Sequence, residues 1–113
     1  MVRLREKHLP DRVTVQILTV EGAEGETWTT KTGVPAYVEQ KARLRVDRRS
    51  DSPTSGQEIT SSTLVVLLLK DDVLPRSRVT VYPGEARERT SEVVDSEYYR
   101  YPGTPSHVEL YLE

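Results

Sequence analysis

The segment Gly56 to Lys70, GQEITSSTLVVLLLK, decides the fold of this 113-residue chain. Its second half is an unbroken apolar run from Leu64 to Leu69. Because the side chains of a strand alternate between two faces, this run predicts a strand that is covered on both sides. Leaving three of these side chains in water would forgo about 1.5 to 3 kcal/mol each. A small antiparallel sheet normally leaves its outer face wet, so another part of the chain or another subunit must cover this strand.

The segment before it, Val34 to Asp47, alternates between apolar and polar residues and predicts a second long strand. A helix from Ala36 to Val46 is the alternative, because good helix formers fill the middle of this segment. As a strand, the segment overshoots a small barrel by about eight residues, or roughly 25 Å. Arg48 to Ser55 is rich in turn residues and has no apolar residue. The two arms and this tip therefore predict a hairpin, residues 41–56, that protrudes from the body.

Further strands are predicted by alternation at Arg12 to Val20, Arg78 to Tyr82 and His107 to Glu113. Glu85 to Asp95 is also predicted to be extended, and the segment Ser96 to Tyr101 that follows it carries three tyrosines.

The polar segment Glu21 to Thr32 predicts a loop around Trp28, whose side chain either covers one barrel end or anchors an interface. Residues 1–11 predict a flexible or short helical arm. The expected fold is all-β: a single domain over residues 1–113, built as a small antiparallel β-barrel or sandwich of five to six strands with one long protruding hairpin.

The composition limits the classes of function. Hydrophobic residues make up 35% of the chain and charged residues 30%, which predicts a thin core. This favours a small barrel with extended or intersubunit segments over a compact enzyme. The net charge of −2 gives the chain as a whole no electrostatic attraction to nucleic acid. Without cysteine or an apolar stretch of about 20 residues, we expect neither disulfides nor a membrane partner.

Motifs that carry chemistry are not found in the sequence. His8 and His107 are the two histidines, and neither stands near a nucleophile motif or a second ligand at metal spacing. We therefore expect no catalytic residue, no metal site and no cofactor, and predict that the chain is not an enzyme.

One basic cluster lies on the predicted hairpin. It consists of Lys41, Arg43, Arg45, Arg48 and Arg49. Charge on a protruding strand protects it against sheet-to-sheet aggregation, which is one explanation. Non-specific contact with the phosphates of DNA is the other.

The order of these features resembles that of the head-tail joining proteins of tailed bacteriophages, also called head-completion or stopper proteins. The Trp28-bearing segment and five short motifs carry the resemblance over nearly the whole chain. The motifs are DRVTVQ (Asp11 to Gln16), VPAYVEQ (Val34 to Gln40), GQEIT (Gly56 to Thr60), SRVTVYPG (Ser77 to Gly84) and VELYLE (Val108 to Glu113).

The resemblance implies a β-barrel protein that forms a homo-oligomeric ring, of roughly six or twelve copies, in the neck of the virion. Such a ring joins head to tail, closes or lines the DNA channel, and lies between a head-tail adaptor above and a tail terminator below. The protein would be in the host cytoplasm during assembly. The basic hairpin would face the channel and touch the genome without reading its sequence. The expected subunit interface comprises Leu64, Val66, Leu68, Trp28 and Tyr37.

Two other functions fit the same strands. One is a tail-terminator or minor tail protein of similar size. The other is a free-standing SH3-like or OB-like (oligonucleotide-binding) module, which would stay monomeric and expose an aromatic groove. A ring component should oligomerise or bind a portal assembly, so association separates these functions.

Overall fold

The computed structural model describes residues 8–20, 27–49, 52–73, 75–100 and 106–113. Within these ranges the strands are β1 (Asp11–Val20), β2 (Thr27–Glu39), β3 (Arg43–Val46), β4 (Glu58–Ser61), β5 (Thr63–Leu67), β6 (Arg78–Val81), β7 (Arg89–Tyr99) and β8 (His107–Leu112). A 3-10 turn, Leu69–Asp71, follows β5. Six strands close an antiparallel barrel in the order β1, β2, β5, β8, β7, β6, while β3 and β4 form a separate two-stranded sheet. The predicted all-β barrel is confirmed, and the helix considered for Ala36 to Val46 is wrong.

The barrel interior is filled almost entirely by valine and leucine. Val13 and Val15 of β1 are fully buried there, as the alternation of β1 predicts. β-Branched side chains suit this position because they pack well on a pleated surface. The other fully buried side chains of the interior are Ala36, Val65, Leu67, Val79, Val81, Val93, Val108, Leu110 and Leu112.

Both faces of β5 are covered within one protomer. Val65 and Leu67 point into the barrel. Leu64 points outward but is only 6% exposed, because it belongs to a second apolar cluster against which Ile59 of β4 packs. The sequence allowed two sources of cover, another part of the chain or another subunit, and the structure shows the first. The structure therefore supplies the cover of Leu64 without a neighbouring subunit.

The long strand predicted from Val34 to Asp47 is interrupted. β2 ends at Glu39, and β3 begins only at Arg43. A second interruption at Ser62 separates β4 from β5, where the Ser62 amide donates a hydrogen bond to the Leu112 carbonyl at 2.9 Å. Since Glu39 of β2 pairs with Leu64 of β5 in the barrel, the chain between these two residues leaves the barrel sheet and returns to it. It does not protrude, as predicted for residues 41–56, but folds back over β7 and β8.

The strands near the two ends of the chain agree with the sequence. β1, β6 and β8 each lie within one residue of their predicted bounds. The two segments expected between Glu85 and Tyr101 form one strand, β7, whose pairing with β8 shifts register between Val93 and Asp95. This shift places Val94 in the outer apolar cluster while Val93 stays in the barrel interior.

The predicted loop Glu21 to Thr32 is wrong in its second half. β2 begins at Thr27, which pairs with Val20, and residues 21–26 lie outside the described residues. Trp28 is therefore a strand residue, with the Arg78 guanidinium 4.7 Å from its ring centroid. Gly33, with φ of 64°, lies where β2 is out of register with β1.

The predicted amino-terminal arm is only partly described, since residues 1–7 lie outside the described ranges. Its last part is docked on the barrel. Leu9 is 2% exposed, and its carbonyl accepts a hydrogen bond from Arg12 at 3.1 Å. Asp11 begins β1, and its Oδ2 accepts a hydrogen bond from the Val38 amide at 3.0 Å.

Candidate functional site

The folded-back hairpin, β3 and β4 with the loop between them, is the candidate functional site. Its two strands pair antiparallel, with Arg45 opposite Ile59 and Leu44 opposite Thr60. The face toward the barrel carries Arg45 and Ile59, whereas Leu44 is 67% exposed on the other face. The hairpin therefore turns a charged side chain inward and an apolar one outward, which reverses the usual pattern of a surface strand.

Arg45 is the charged side chain that the hairpin turns inward. Its Nε and Nη2 donate hydrogen bonds to Asp95 Oδ2 at 3.0 and 2.7 Å, and Nη2 also pairs with Glu97. The guanidinium lies over the ring of Tyr111, 3.9 Å from its centroid. Burial lowers the pKa of Arg45, but the hydrogen bonds to Glu97 and Asp95 outweigh it and raise that pKa further above its ordinary value. Arg45 thus attaches β3 to β7 and β8.

A row of polar aromatic residues continues from this ion pair along the outer face of β7 and β8. The Tyr99 hydroxyl donates a hydrogen bond to Glu97, and this bond together with burial raises the pKa of Tyr99 to about 12. The Tyr99 ring stacks on His107 at 4.8 Å between centroids. His107 Nε2 lies 3.2 Å from Glu109, which also accepts a hydrogen bond from the Tyr111 hydroxyl at 2.6 Å.

Arg49 makes the second attachment, and it is buried. Its Nε and Nη2 donate hydrogen bonds to the two carboxylate oxygens of Asp47 at 3.0 and 2.9 Å. Its Nη1 reaches Glu92 at 3.2 Å and Glu113 at 2.7 Å. Asp47 is 1% exposed and also accepts a hydrogen bond from the Thr54 hydroxyl at 2.5 Å. This cluster holds the hairpin loop against the start of β7 and the end of β8.

Backbone hydrogen bonds reinforce the same attachment. The Arg48 amide donates to the Val94 carbonyl at 2.7 Å, at the point where β7 bulges. Within the loop, the Asp47 amide donates to the Gln57 carbonyl and the Gly56 amide donates to the Asp47 carbonyl, each at 2.8 Å. Gly56 has φ of 81°, a conformation that favours glycine.

The predicted basic cluster is therefore divided. Arg45 and Arg49 do not project toward a partner, because both are neutralised by carboxylates of the same chain. Arg43 is 3.5 Å from Glu39 and partly exposed. Lys41 is exposed, and the Arg48 side chain is 64% exposed with Asp95 3.8 Å away. As a surface for a polyanion, the five-residue cluster is corrected to these last two residues.

The predicted subunit-interface residues are also divided. Leu64 is buried within the protomer, and Val66 is half-buried against the same outer cluster. Leu68 and Trp28 are half-buried. Tyr37, 43% exposed, remains open to a partner.

The sequence did not predict the carboxylate partners of the hairpin, because Asp95 and Glu97 lie about 50 positions from Arg45 and have no periodic relation to it.

The acid side of the ion pairs predicts a pH dependence of stability. The Arg49 hydrogen bonds hold the pKa of Asp47 well below its usual range, and the Arg45 hydrogen bond lowers the pKa of Glu97. Since both pKa values are lower in the folded state, the stabilisation is complete above the unfolded values and is lost as pH falls. We expect the free energy of unfolding, measured with urea, to fall steeply below about pH 4. An Arg49→Met variant should show a shallower fall, and an equally steep one would contradict the assignment.

Among the described residues, no group of three or more His, Cys, Asp or Glu side chains could hold a metal ion. Within the same residues, no helix is long and apolar enough to cross a membrane. A shallow groove of about 490 Å³ crosses β6 and β7; it is lined by Arg78, Arg89, Thr90, Ser91, Glu92 and Glu113.

A comparison of the chain with protein-family models, curated proteins and solved structures finds no match.

Proposed function

We propose that this chain is a structural, non-enzymatic protein of the phage neck, where it forms a ring that joins head to tail around the DNA channel. One observation carries the proposal: the segment that the resemblance assigns to the channel is an insertion between β2 and β5, two neighbouring strands of a closed barrel. A closed barrel offers a rigid frame, and an insertion between two of its strands is the kind of element that carries function on such a frame.

The buried cluster around Leu64 does not form the ring contact in this proposal, because it is already covered. The large hydrophobic side chains that the described part of the chain exposes are Tyr37, Leu44, Val46 and Tyr98. Leu44 and Val46 lie on the outward face of the hairpin, where a neighbouring subunit or the adaptor can contact them.

The exposed cations of the hairpin predict weak, sequence-independent DNA binding. Each neutralised phosphate contributes about 0.9 to the slope of log K against log salt. If Lys41 and Arg48 alone reach phosphates, the slope should be about −1.8 per protomer, and a Lys41→Ala/Arg48→Ala variant should remove it. Fluorescence anisotropy of a labelled duplex over a salt series measures this slope. A slope near about −4.5, the value for all five cations, would contradict the folded-back hairpin.

The proposed function is tested by locating the protein. Immunogold labelling, with an antibody against this chain, is applied to particles purified from cells that express it from its native genome. Label at the junction of capsid and tail is the expected result. Particles without label, with the chain recovered free in the soluble extract, would contradict the proposal and favour a free-standing binding module.

A further inference from the structure

The β1 and β2 strands continue past the barrel as a two-stranded ribbon whose outer edges have no partner strand among the described residues. The last residue of β1 that pairs with β6 is Gln16, and the first residue of β2 that pairs with β5 is Ala36. Beyond these positions β1 and β2 pair only with each other among the described residues. Among the described residues, the ribbon therefore has one open edge at Ile17–Val20 and another along Thr27–Pro35.

The outer parts of the two edges, farthest from the barrel, carry none of the charges or prolines by which natural proteins protect an exposed strand. Ile17 to Val20 reads ILTV and Thr27 to Thr30 reads TWTT, with no proline and no charge in either segment. Edge segments without lysine or proline are templates for pairing with another strand. Nearer the barrel, the β2 edge carries Lys31, the irregular pairing at Gly33 and then Pro35, so the segments open to strand pairing are Ile17–Val20 and Thr27–Thr30.

We propose that this ribbon joins copies of the chain head to tail: the β1 edge of one protomer pairs antiparallel with the β2 edge of the next. The inference rests on the proposed ring and names its contact. The two edges have opposite strand directions and lie on opposite sides of one ribbon. A second copy therefore offers the complementary edge, and the contact is heterologous, as a cyclic ring requires. Main-chain hydrogen bonds supply the affinity, as in other cases of strand addition.

The test uses the full chain and two matched lysine variants. Thr29→Lys places a charge on the open edge, and Thr80→Lys places the same charge on β6, which is paired on both sides. Sedimentation velocity measures association over a range of protein concentrations. Hydrogen exchange then measures the protection of the ribbon amides in the assembled fraction. We expect the parent chain to associate, with at least a tenfold loss of association for Thr29→Lys and little change for Thr80→Lys.

In the assembled fraction, hydrogen exchange at Ile17–Val20 and Thr27–Thr30 should slow. Oligomers that form without this protection, or that Thr29→Lys leaves intact, would overturn the ribbon contact and leave a ring through another surface. A parent chain that stays monomeric at every concentration would also overturn it. The proposed function has its own readout, the immunogold label, so the two failures are distinguishable. Pairing of the ribbon with a different protein, seen as protection only in a mixed complex, would also overturn the inference.

Discussion

Replacing Arg49 by methionine is expected to lower the free energy of unfolding by about 3 to 5 kcal/mol. Methionine keeps most of the side-chain volume but leaves the Asp47 carboxylate, 1% exposed, without its two charged hydrogen bonds. An uncompensated buried charge is among the most costly changes a protein can undergo. Urea denaturation at neutral pH measures the loss, and the same loss should appear at low and high protein concentration.

The matched control is Arg48→Met, next in sequence but 64% exposed, which should change the free energy of unfolding by less than about 1 kcal/mol. Combining Arg49→Met with Asp47→Asn should recover part of the loss, because the neutral amide no longer leaves a charge buried. Equal effects of Arg48→Met and Arg49→Met would show that the hairpin loop is not attached through Arg49.

The second large effect is expected at Leu64. Leu64→Ala should cost about 2 to 5 kcal/mol, because the residue is buried between β5 and the hairpin and its truncation leaves a cavity. Since the cover comes from the same chain, the loss should not depend on protein concentration. Chemical denaturation over a hundredfold range of dilution measures this.

The control for this prediction is Leu44, a leucine of β3 that is 67% exposed. Leu44→Ala should change the free energy of unfolding by no more than about 0.5 kcal/mol in the dilute protomer. A Leu64 effect that vanishes on dilution would instead favour the other source of cover that the sequence allows, a neighbouring subunit.

The local features of the fold follow from the sequence because they depend on local patterns. Alternation alone predicts β1, β6 and β8 almost to the residue, and the apolar run correctly identifies β5 as a strand with two covered faces. What covers its outer face could not be predicted, because Ile59 packs against the Leu64 cluster only after the strand is interrupted at Ser62 and β4 leaves the barrel sheet. The alternation of side chains does not encode that interruption.

The candidate site shows the same limit more sharply. Arg45 and Arg49 read as exposed cations because their neighbours in sequence are basic. Their acceptors come from β7 and the end of the chain, and a period-two pattern cannot distinguish an arginine in water from one in a long-range ion pair. A usable signal existed at Asp47, an acid two positions before Arg49 that suits a local bidentate pair.

The folded-back hairpin also changes which residues the proposed ring would present to the channel. If ion pairs hold the hairpin on its own barrel, the channel surface depends on Lys41 and Arg48 and on the apolar face that carries Leu44. Neutralising the whole basic cluster at once would then mix two effects, loss of phosphate contact and loss of the attachment through Arg45 and Arg49. Single substitutions separate them.

The central claim is that the hairpin covers the outer face of β5 in its own protomer. The most direct measurement is methyl-detected nuclear Overhauser spectroscopy on a dilute sample that mixes two isotope-labelling patterns, so that contacts within one chain are separated from contacts between chains. We predict intramolecular cross-peaks from the Ile59 methyl groups to the cluster of Leu64, Val94 and Tyr111. Cross-peaks only between differently labelled copies, or none at all, would contradict the claim.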